Sequence, residues 1–350
     1  MKIDMSMKMD MVMVVISIVL VAVLLVVLAA LWIVLRQNRR LVKVIQYHQK
    51  KIKEKSGKEE SRKKDDADII TRMIPEKLFE VLQVNHTSKL SFENQKYVEM
   101  ANMYINSNDF SEIIHSMEAK EIFVFINQFL SKAIPEIYES GGIIEGFQEA
   151  GMSVLFLEEY EKAVVIAISI CEILNELGVK KPQYHNFSIG LCYENAIVGV
   201  VGHPKRLSLL TLSAEASGLS RWLQSIAEKY YAKILVTDSY VELIEDFQKK
   251  FNVRFLGYVY IRDTDSMKKI YDVFDGDEKD VKNRKRQTKM AFEKGVHLFA
   301  EQNYQEARQY FIEVLKTDKY DMAAKEYVYR CELYLKESEQ KEKVYLEYYG

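Results

Sequence analysis

The sequence predicts an α+β domain at residues 74–276, preceded by one transmembrane helix and followed by a short all-α tail. Residues 11–35 form an uncharged apolar run, segments with strand and helix periodicity alternate through the middle of the chain, and helical periodicity alone continues through 288–343. The 49 Lys and Arg balance 51 Asp and Glu, which excludes a strongly basic nucleic-acid-binding chain. The three cysteines and six histidines follow no zinc-binding spacing.

The first element is the run from Met11 to Leu35, which has 25 residues without a charge. As a helix it is about 37 Å long, enough to cross a bilayer. A cleaved signal peptide is the alternative, but its apolar core would be shorter and would precede a small-residue cleavage site instead of RQNRR. This basic segment indicates a single-pass protein of the cell membrane, with residues 1–10 as a short extracytoplasmic N-terminus and the later domains in the cytoplasm.

Residues 36–73 are predicted to be a basic helical linker. Between 36 and 66 we count twelve Lys and Arg against five Asp and Glu. Such a juxtamembrane excess of positive charge favours contact with the anionic surface of the lipid bilayer. A short apolar stripe around residues 41–47 could pair with a second copy, but the pattern ends near residue 56.

The middle of the chain alternates between the two periodicities. Residues 106–113 precede two helical segments, and the apolar segment 162–177 indicates a buried helix. Glu194 and Asn195 are read as a turn between two strands, and 213–229 as a helix. The predicted strands are 97–105, 141–147, 151–156, two around 186–202, 232–237 and a closing hairpin over 253–274.

Several of these segments resemble the catalytic domain of class III adenylate and guanylate cyclases. The resemblance is carried by the segments IPEKLFEVL (74–82), NSNDFSEI (106–113), GGIIEGFQEAGMSVLF (141–156), IGLCYENAIVGVVG (189–202) and LLTLSAEASGLSRWLQ (209–224). It covers about residues 74–276 and implies a ferredoxin-like core that works as a homodimer. In this family two carboxylates hold two metal ions, which activate the ribose hydroxyl and offset charge on the triphosphate.

The resemblance also shows which of the family's site residues this chain lacks. The two metal carboxylates fall on Asn106 and Ala150, a neutral amide and a methyl group, which are poor or impossible ligands for a hard cation. The purine-reading Lys falls on Gly146, the purine-reading Asp or Thr on Leu210, and the ribose-binding Asn on Ser217. We therefore expect a degenerate member of the family with no metal cofactor.

Two basic positions of the family are kept. Arg221 stands at the position of the catalytic Arg, and Arg262 at that of the phosphate-binding Lys. These two basic residues leave open two alternatives to an inactive protein. An active cyclase could use a displaced metal set of Asp109, Glu145 and Glu149, with Mg or Mn and ATP or GTP. A nucleotide or phosphate sensor could bind through the two arginines without turnover.

The C-terminal part is predicted to form tetratricopeptide-like helices over residues 288–343: residues 288–320 resemble one tetratricopeptide repeat, and a third, capping-like helix follows. The small and large positions of that repeat are occupied by Gly295, Leu298, Ala307, Phe311 and Val314. A single repeat buries its apolar face poorly, so the tail must pack on the cyclase-like domain, on a second copy or on a protein partner. The polar segment 277–287 is predicted to be a linker before it.

Together these features predict a membrane-anchored signalling or scaffold protein without catalytic activity. Its cyclase-like domain would form a homodimer, and its tail would bind a protein partner. High Lys and Tyr with low Pro favour a bacterial source.

Overall fold

The computed structural model describes residues 76–84, 91, 93–107, 110–178, 187–203, 206–213, 218–262, 264–336 and 346–348. These residues belong to one compact unit that spans Ile69–Gly350. The predicted transmembrane helix, N-terminus and basic linker lie outside the described residues. Among the described helices, none combines the length and apolar character needed to cross a membrane.

The centre of the described chain is a nine-stranded mixed sheet, so the predicted α+β class is confirmed for this part. In spatial order the strands are β2-β3-β1-β4-β6-β8-β7-β9, and β5 pairs with β4. The strands are β1 (Gln95–Ser107), β2 (Ile143–Gln148), β3 (Gly151–Phe156), β4 (Phe187–His203), β5 (Arg206–Ser213), β6 (Ile234–Thr237), β7 (Val253–Ile261), β8 (Ser266–Val273) and β9 (Leu346–Tyr348).

Helices cover both faces of the sheet, and the sheet separates the two largest apolar cores. The helices are α1 (Glu76–Val81), α2 (Phe110–Ser116), α3 (Ala119–Glu139), α4 (Tyr160–Gly178), α5 (Leu219–Ala227), α6 (Asp238–Leu243), α7 (Phe247–Lys250), α8 (Lys279–Ala300), α9 (Tyr304–Thr317) and α10 (Met322–Lys336). The first core lies between the sheet and α3 and α4. The second lies between the sheet, α5 and the three tail helices α8–α10.

One local prediction was wrong, and two were right only in part. No turn occurs at Glu194 and Asn195, because β4 continues through them, paired with β1, and the buried Glu194 carboxylate accepts a hydrogen bond from Asn102. The helix predicted over 213–229 is confined in the described chain to 219–227, with a 3₁₀ turn after it. For α3 the spacing predicts one apolar stripe of Phe123, Ile126, Phe129 and Leu130. Phe129 is buried, but Phe123 is 68% exposed and Phe125 is buried instead.

The polar segment that we predicted as a linker is mostly the first half of α8, which begins at Lys279. Its polar residues are held by distant charges. The nearly buried Lys285 ammonium contacts Asp272 on β8 at 2.7 Å and Asp277 at 2.6 Å. Because these partners lie outside the helix, the local sequence looks like a solvated linker although it is packed.

The tail packs on the cyclase-like part of the same chain. Leu256 on β7 shares the second core with Phe292, Val296 and Phe311 of α8 and α9. The helices α8 and α9 interlock closely, since a Cβ atom on Gly295 would lie 2.9 Å from the Phe311 ring. The assignment of this tail to the tetratricopeptide family stays a prediction.

The tail also covers the outer edge of β7. The Phe255 backbone N–H donates to Glu293 of α8, and residues 259–261 pair in parallel with β9. An exposed strand edge is a template for pairing with another chain, so covering it removes that risk.

Candidate functional site

The first metal position, Asn106, lies near the end of β1 and is 8% exposed. Its amide nitrogen donates to the Tyr104 hydroxyl at 3.2 Å and to the Glu149 carboxylate at 3.3 Å. Its amide oxygen accepts the Ser107 backbone N–H at 2.9 Å. Tyr104 in turn donates to the Gln148 side chain at 3.3 Å. The amide group is therefore engaged at both its nitrogen and its oxygen.

The second metal position, Ala150, is buried in the turn between β2 and β3. Glu149 in this turn has a left-handed backbone with φ of 53°. The next residue, Gly151, lies against the first metal position, because a Cβ atom there would be 2.8 Å from Cβ of Asn106. The turn that contains Ala150 therefore lies next to Asn106.

The residues at these two positions do not fit the two-metal set of the family. The nitrogen of Asn106 is a donor and faces the Glu149 carboxylate, where a cation would have to be coordinated by oxygen atoms. Ala150 has no ligating atom. Among the described residues, no group of three or more His, Cys, Asp or Glu side chains could hold a metal ion.

Arg221 is placed beside this network by the close packing of α5 on the sheet. A Cβ atom on Gly190 of β4 would lie 1.9 Å from the Ser220 carbonyl oxygen, so only glycine permits this approach. Gln224, one turn further along α5, donates to the Asn106 backbone carbonyl at 3.2 Å. The exposed Arg221 guanidinium then lies 4.9 Å from the centroid of the Tyr104 ring.

Tyr104 is the aromatic centre of the network and is 4% exposed. Burial raises the pKa of its hydroxyl, although the nearby Arg221 charge acts in the opposite direction. The hydroxyl therefore stays protonated at neutral pH and can both donate to Gln148 and accept from Asn106.

The base-reading positions lie on other strands. Gly146 pairs with Ser153 across the β2–β3 hairpin, and a Cβ atom placed on it would meet nothing within 4 Å. Leu210 on β5 is 38% exposed and pairs with Gly199, eleven positions along β4 from Ser188, the partner of Asn106. That separation is on the order of 36 Å along the strand. Measured along the paired strands, Leu210 is therefore far from the partner of Asn106. Ser217 lies outside the described residues.

Arg262 is exposed and follows the last residue of β7, in the turn that leads to β8. Its backbone carbonyl accepts the Asp265 N–H at 3.2 Å. The β7–β8 hairpin therefore fixes the backbone position of Arg262.

The carboxylates considered for a displaced metal site are divided. Glu149 contacts Asn106, whereas Glu145 accepts a hydrogen bond from Ser153 at 2.9 Å. Asp109 lies outside the described residues. The two described carboxylates thus have separate partners, one on β1 and one on β3.

The sequence did not identify Tyr104, Gln148 or Gln224 as members of this network. Tyr104 could have been found, because residues two apart on a strand lie on the same face. Gln224 has a weaker signal, one helical turn after Arg221, and its contact with Asn106 spans 118 positions of the chain.

No protein-family model matches the chain, but two adenylate cyclases are similar to part of it. It is similar to an adenylate cyclase of Dictyostelium discoideum described as terminal-differentiation specific, at 22% identity over 280 residues, 77% of this chain and 13% of that protein. It is also similar to an adenylate cyclase of Anabaena cylindrica, at 21% identity over 216 residues, 59% of this chain and 43% of that protein. The chain thus spans less than half the length of either relative.

Solved structures agree at the level of the fold. A bacterial light-regulated adenylyl cyclase matches with a TM-score of 0.53 and 15% identity, over 63% of this chain and 64% of that chain. A second structure of that description matches with a TM-score of 0.52 and 16% identity, over 65% and 67% of the two chains.

Proposed function

We propose that this chain, which contains a domain of the class III cyclase catalytic type, is a membrane-anchored signalling or scaffold protein without cyclase activity. The observation that carries the proposal is the hydrogen bonding of Asn106. Its amide nitrogen, bonded to Tyr104 and Glu149, takes up the contacts that a coordinated cation would otherwise make with protein oxygens. Membrane anchoring rests on the apolar run 11–35 of the sequence.

Loss of metal-assisted chemistry would remove most of the catalytic power of such a site. Removing one strong transition-state contact costs on the order of 10²–10³ in rate. Here both carboxylates are replaced, and Leu210 puts an apolar side chain where purine donors would be left unpaired. We therefore expect no measurable cyclic nucleotide production.

The domain would act through contact with a second copy. Phe147 on β2, Leu210 and Leu212 on β5 are 55%, 38% and 50% exposed, and β2 and β5 approach each other. Exposed apolar surface of this kind marks interaction sites more often than isolated apolar residues do. A homodimer that covers it would also bring the base-reading positions of one copy toward the metal positions of the other.

The first experiment is calorimetric titration of the full-length chain in detergent with ATP and GTP, with and without Mn²⁺, alongside an assay for cyclic nucleotides. We expect no product under any condition. Product that depends on Mn²⁺ and is lost in Glu145→Gln or Glu149→Gln would replace our proposal with an active cyclase that uses displaced carboxylates.

A nucleotide or phosphate sensor is the second candidate, favoured by the exposed Arg221 guanidinium over Tyr104. Binding of ATP or GTP without product, weakened by Arg221→Ala, would support it. That result would contradict the proposal of a scaffold that binds no nucleotide.

Dimerisation and partner binding need separate variants. Phe147→Ser is expected to weaken the dimer in sedimentation experiments, whereas Val165→Ser on α4, 50% exposed, is the matched control.

For the tail, deletion would open the second core, so a surface change is preferable. Leu335→Ser on α10, where the side chain is 49% exposed, is expected to abolish capture of a partner that the unchanged chain retains. A chain that stays monomeric at micromolar concentration would contradict the dimer.

A further inference from the structure

Strand β7 contains a β-bulge in the part that contacts the tail. Phe255 pairs with Tyr271, but Gly257 pairs with Ile270, so Leu256 is an extra residue in the ladder. Leu256, Val259 and Ile261 all lie in the second core. A regular strand puts residues three apart on opposite faces, and the extra residue is what brings Leu256 and Val259 to the same side.

Tyr327 of α10 reaches this bulge. Its hydroxyl donates to the Leu256 backbone carbonyl oxygen. It occupies the space that Gly257 leaves by having no side chain, since a Cβ atom there would lie 2.5 Å from the hydroxyl oxygen. Gly257 also has a φ of 145°, which other residues rarely adopt. The bulge and the tyrosine are therefore matched in shape.

The ring of Tyr327 is fixed by the aromatic side chains of the tail. It stacks on Phe311 with centroids 4.7 Å apart and an interplanar angle of 10°, and it meets Phe299 and Phe292 edge-on. Its side chain is 3% exposed. Because the ring has little freedom, the hydroxyl presents a fixed donor to the bulge.

We propose that Tyr327 is a positioning residue for the outer half of β7. It holds the bulge at Leu256 and so determines on which face of the sheet each later side chain lies, up to Arg262. A shift of one residue in pairing register moves every later side chain to the other face of the sheet. Val259 and Ile261 would leave the core, and Arg262 at the hairpin would change its direction. This role is independent of the proposed scaffold function, because it concerns the register alone.

Disulfide trapping in the full-length chain tests the proposal. In the observed register Tyr260 pairs with Met267, whereas without the bulge Val259 would pair with Met267. The pairs Tyr260→Cys with Met267→Cys, and Val259→Cys with Met267→Cys, therefore report the two registers under mild oxidation. The chain's three native cysteines are all buried, which limits side reactions.

We expect Tyr327→Phe to raise the ratio of the shifted to the native cross-link by about 2- to 12-fold, the effect of losing one neutral hydrogen bond. Tyr329→Phe, the same chemical change at an exposed site of α10, is the matched control and should leave the ratio unchanged. Gly257→Ala, which displaces the hydroxyl, should act like Tyr327→Phe. An unchanged ratio in both test variants, or an equal rise in Tyr329→Phe, would overturn the proposal.

Discussion

A buried ion cluster of Arg254, Asp272 and Asp321 lies between the sheet and the tail, and the free energy lost when it is broken can be estimated. Arg254 on β7 has no exposed side-chain surface. Its two terminal nitrogens contact Asp321 at the start of α10 and Asp272 on β8. Its Cζ atom lies 4.0 Å from the centroid of the Phe292 ring. Arg254→Met keeps the aliphatic part of the side chain and removes the charge.

The consequences for the two carboxylates differ. Asp272 would still contact the Lys285 ammonium at 2.7 Å. Asp321 would keep the Ala324 backbone N–H at 2.9 Å but would lose its arginine while remaining buried. Breaking a buried pair by removing one partner typically costs about 3–5 kcal/mol. For a domain of this size that corresponds to a fall in Tm of roughly 6–20 °C.

The assay is urea unfolding of the full-length chain, followed by the fluorescence of Trp222, which packs against the second core. A Trp32→Phe background removes the other tryptophan. Arg286→Met, at an exposed arginine of α8, is the control and should change stability by less than about 0.5 kcal/mol. Adding Asp321→Asn to Arg254→Met should recover part of the loss, because Asn still caps the helix. If Arg254→Met cost no more than the control, the cluster would not join the tail to the sheet.

Three further predictions concern protonation and the degenerate site. Burial raises the pKa of the Cys171 thiol to about 12, so iodoacetamide at pH 8 should modify it about 1,000-fold more slowly than an ordinary thiol, as mass spectrometry can follow. Burial also raises the pKa of the Asp277 carboxyl. The protonated Asp277 carboxyl therefore stabilises the fold below its unfolded pKa, and this contribution is lost as pH rises through the folded pKa. Asp277→Asn should remove this decline, which urea unfolding can follow as pH is raised above about 4, the ordinary Asp pKa. Asn106→Asp combined with Ala150→Asp should create a Mn²⁺ site visible by electron paramagnetic resonance, and either change alone should bind more weakly. A double variant that binds no Mn²⁺ would mean that the two positions are not a latent ligand pair.

Much of the fold could be predicted because local periodicity determined it. The buried helix α4 and the hairpin of β7 and β8 follow directly from apolar spacing. The errors occurred where polar residues are satisfied by distant partners. Glu194 looks like part of a turn, but its carboxylate is bound by Asn102, 92 positions earlier. Lys285 looks solvated, but it is buried against Asp272 of β8 and against Asp277, which lies just before α8.

The same distinction between local patterns and distant contacts applies to the candidate site. The positions of Asn106 and Ala150 could be found from the sequence because the motifs around them are local. The partners of Asn106 could not all be found that way, since Glu149 and Gln224 are brought to it by the β2–β3 turn and by α5. The sequence therefore predicts which ligands are missing, whereas the structure gives the hydrogen bonds that the Asn106 amide makes instead of a metal contact.

The covering of β7 has a consequence for how the chain tolerates truncation. The strand at that end of the described sheet is β9, which has three residues, and Glu293 caps the backbone nearer the bulge. A product that ended before α8 would leave the nine residues of β7 with unpaired backbone groups on one side. Such an edge can recruit the same edge of another truncated molecule, and the pairing can repeat. Premature termination or proteolysis after residue 276 is therefore expected to yield insoluble polymers and not a smaller working domain.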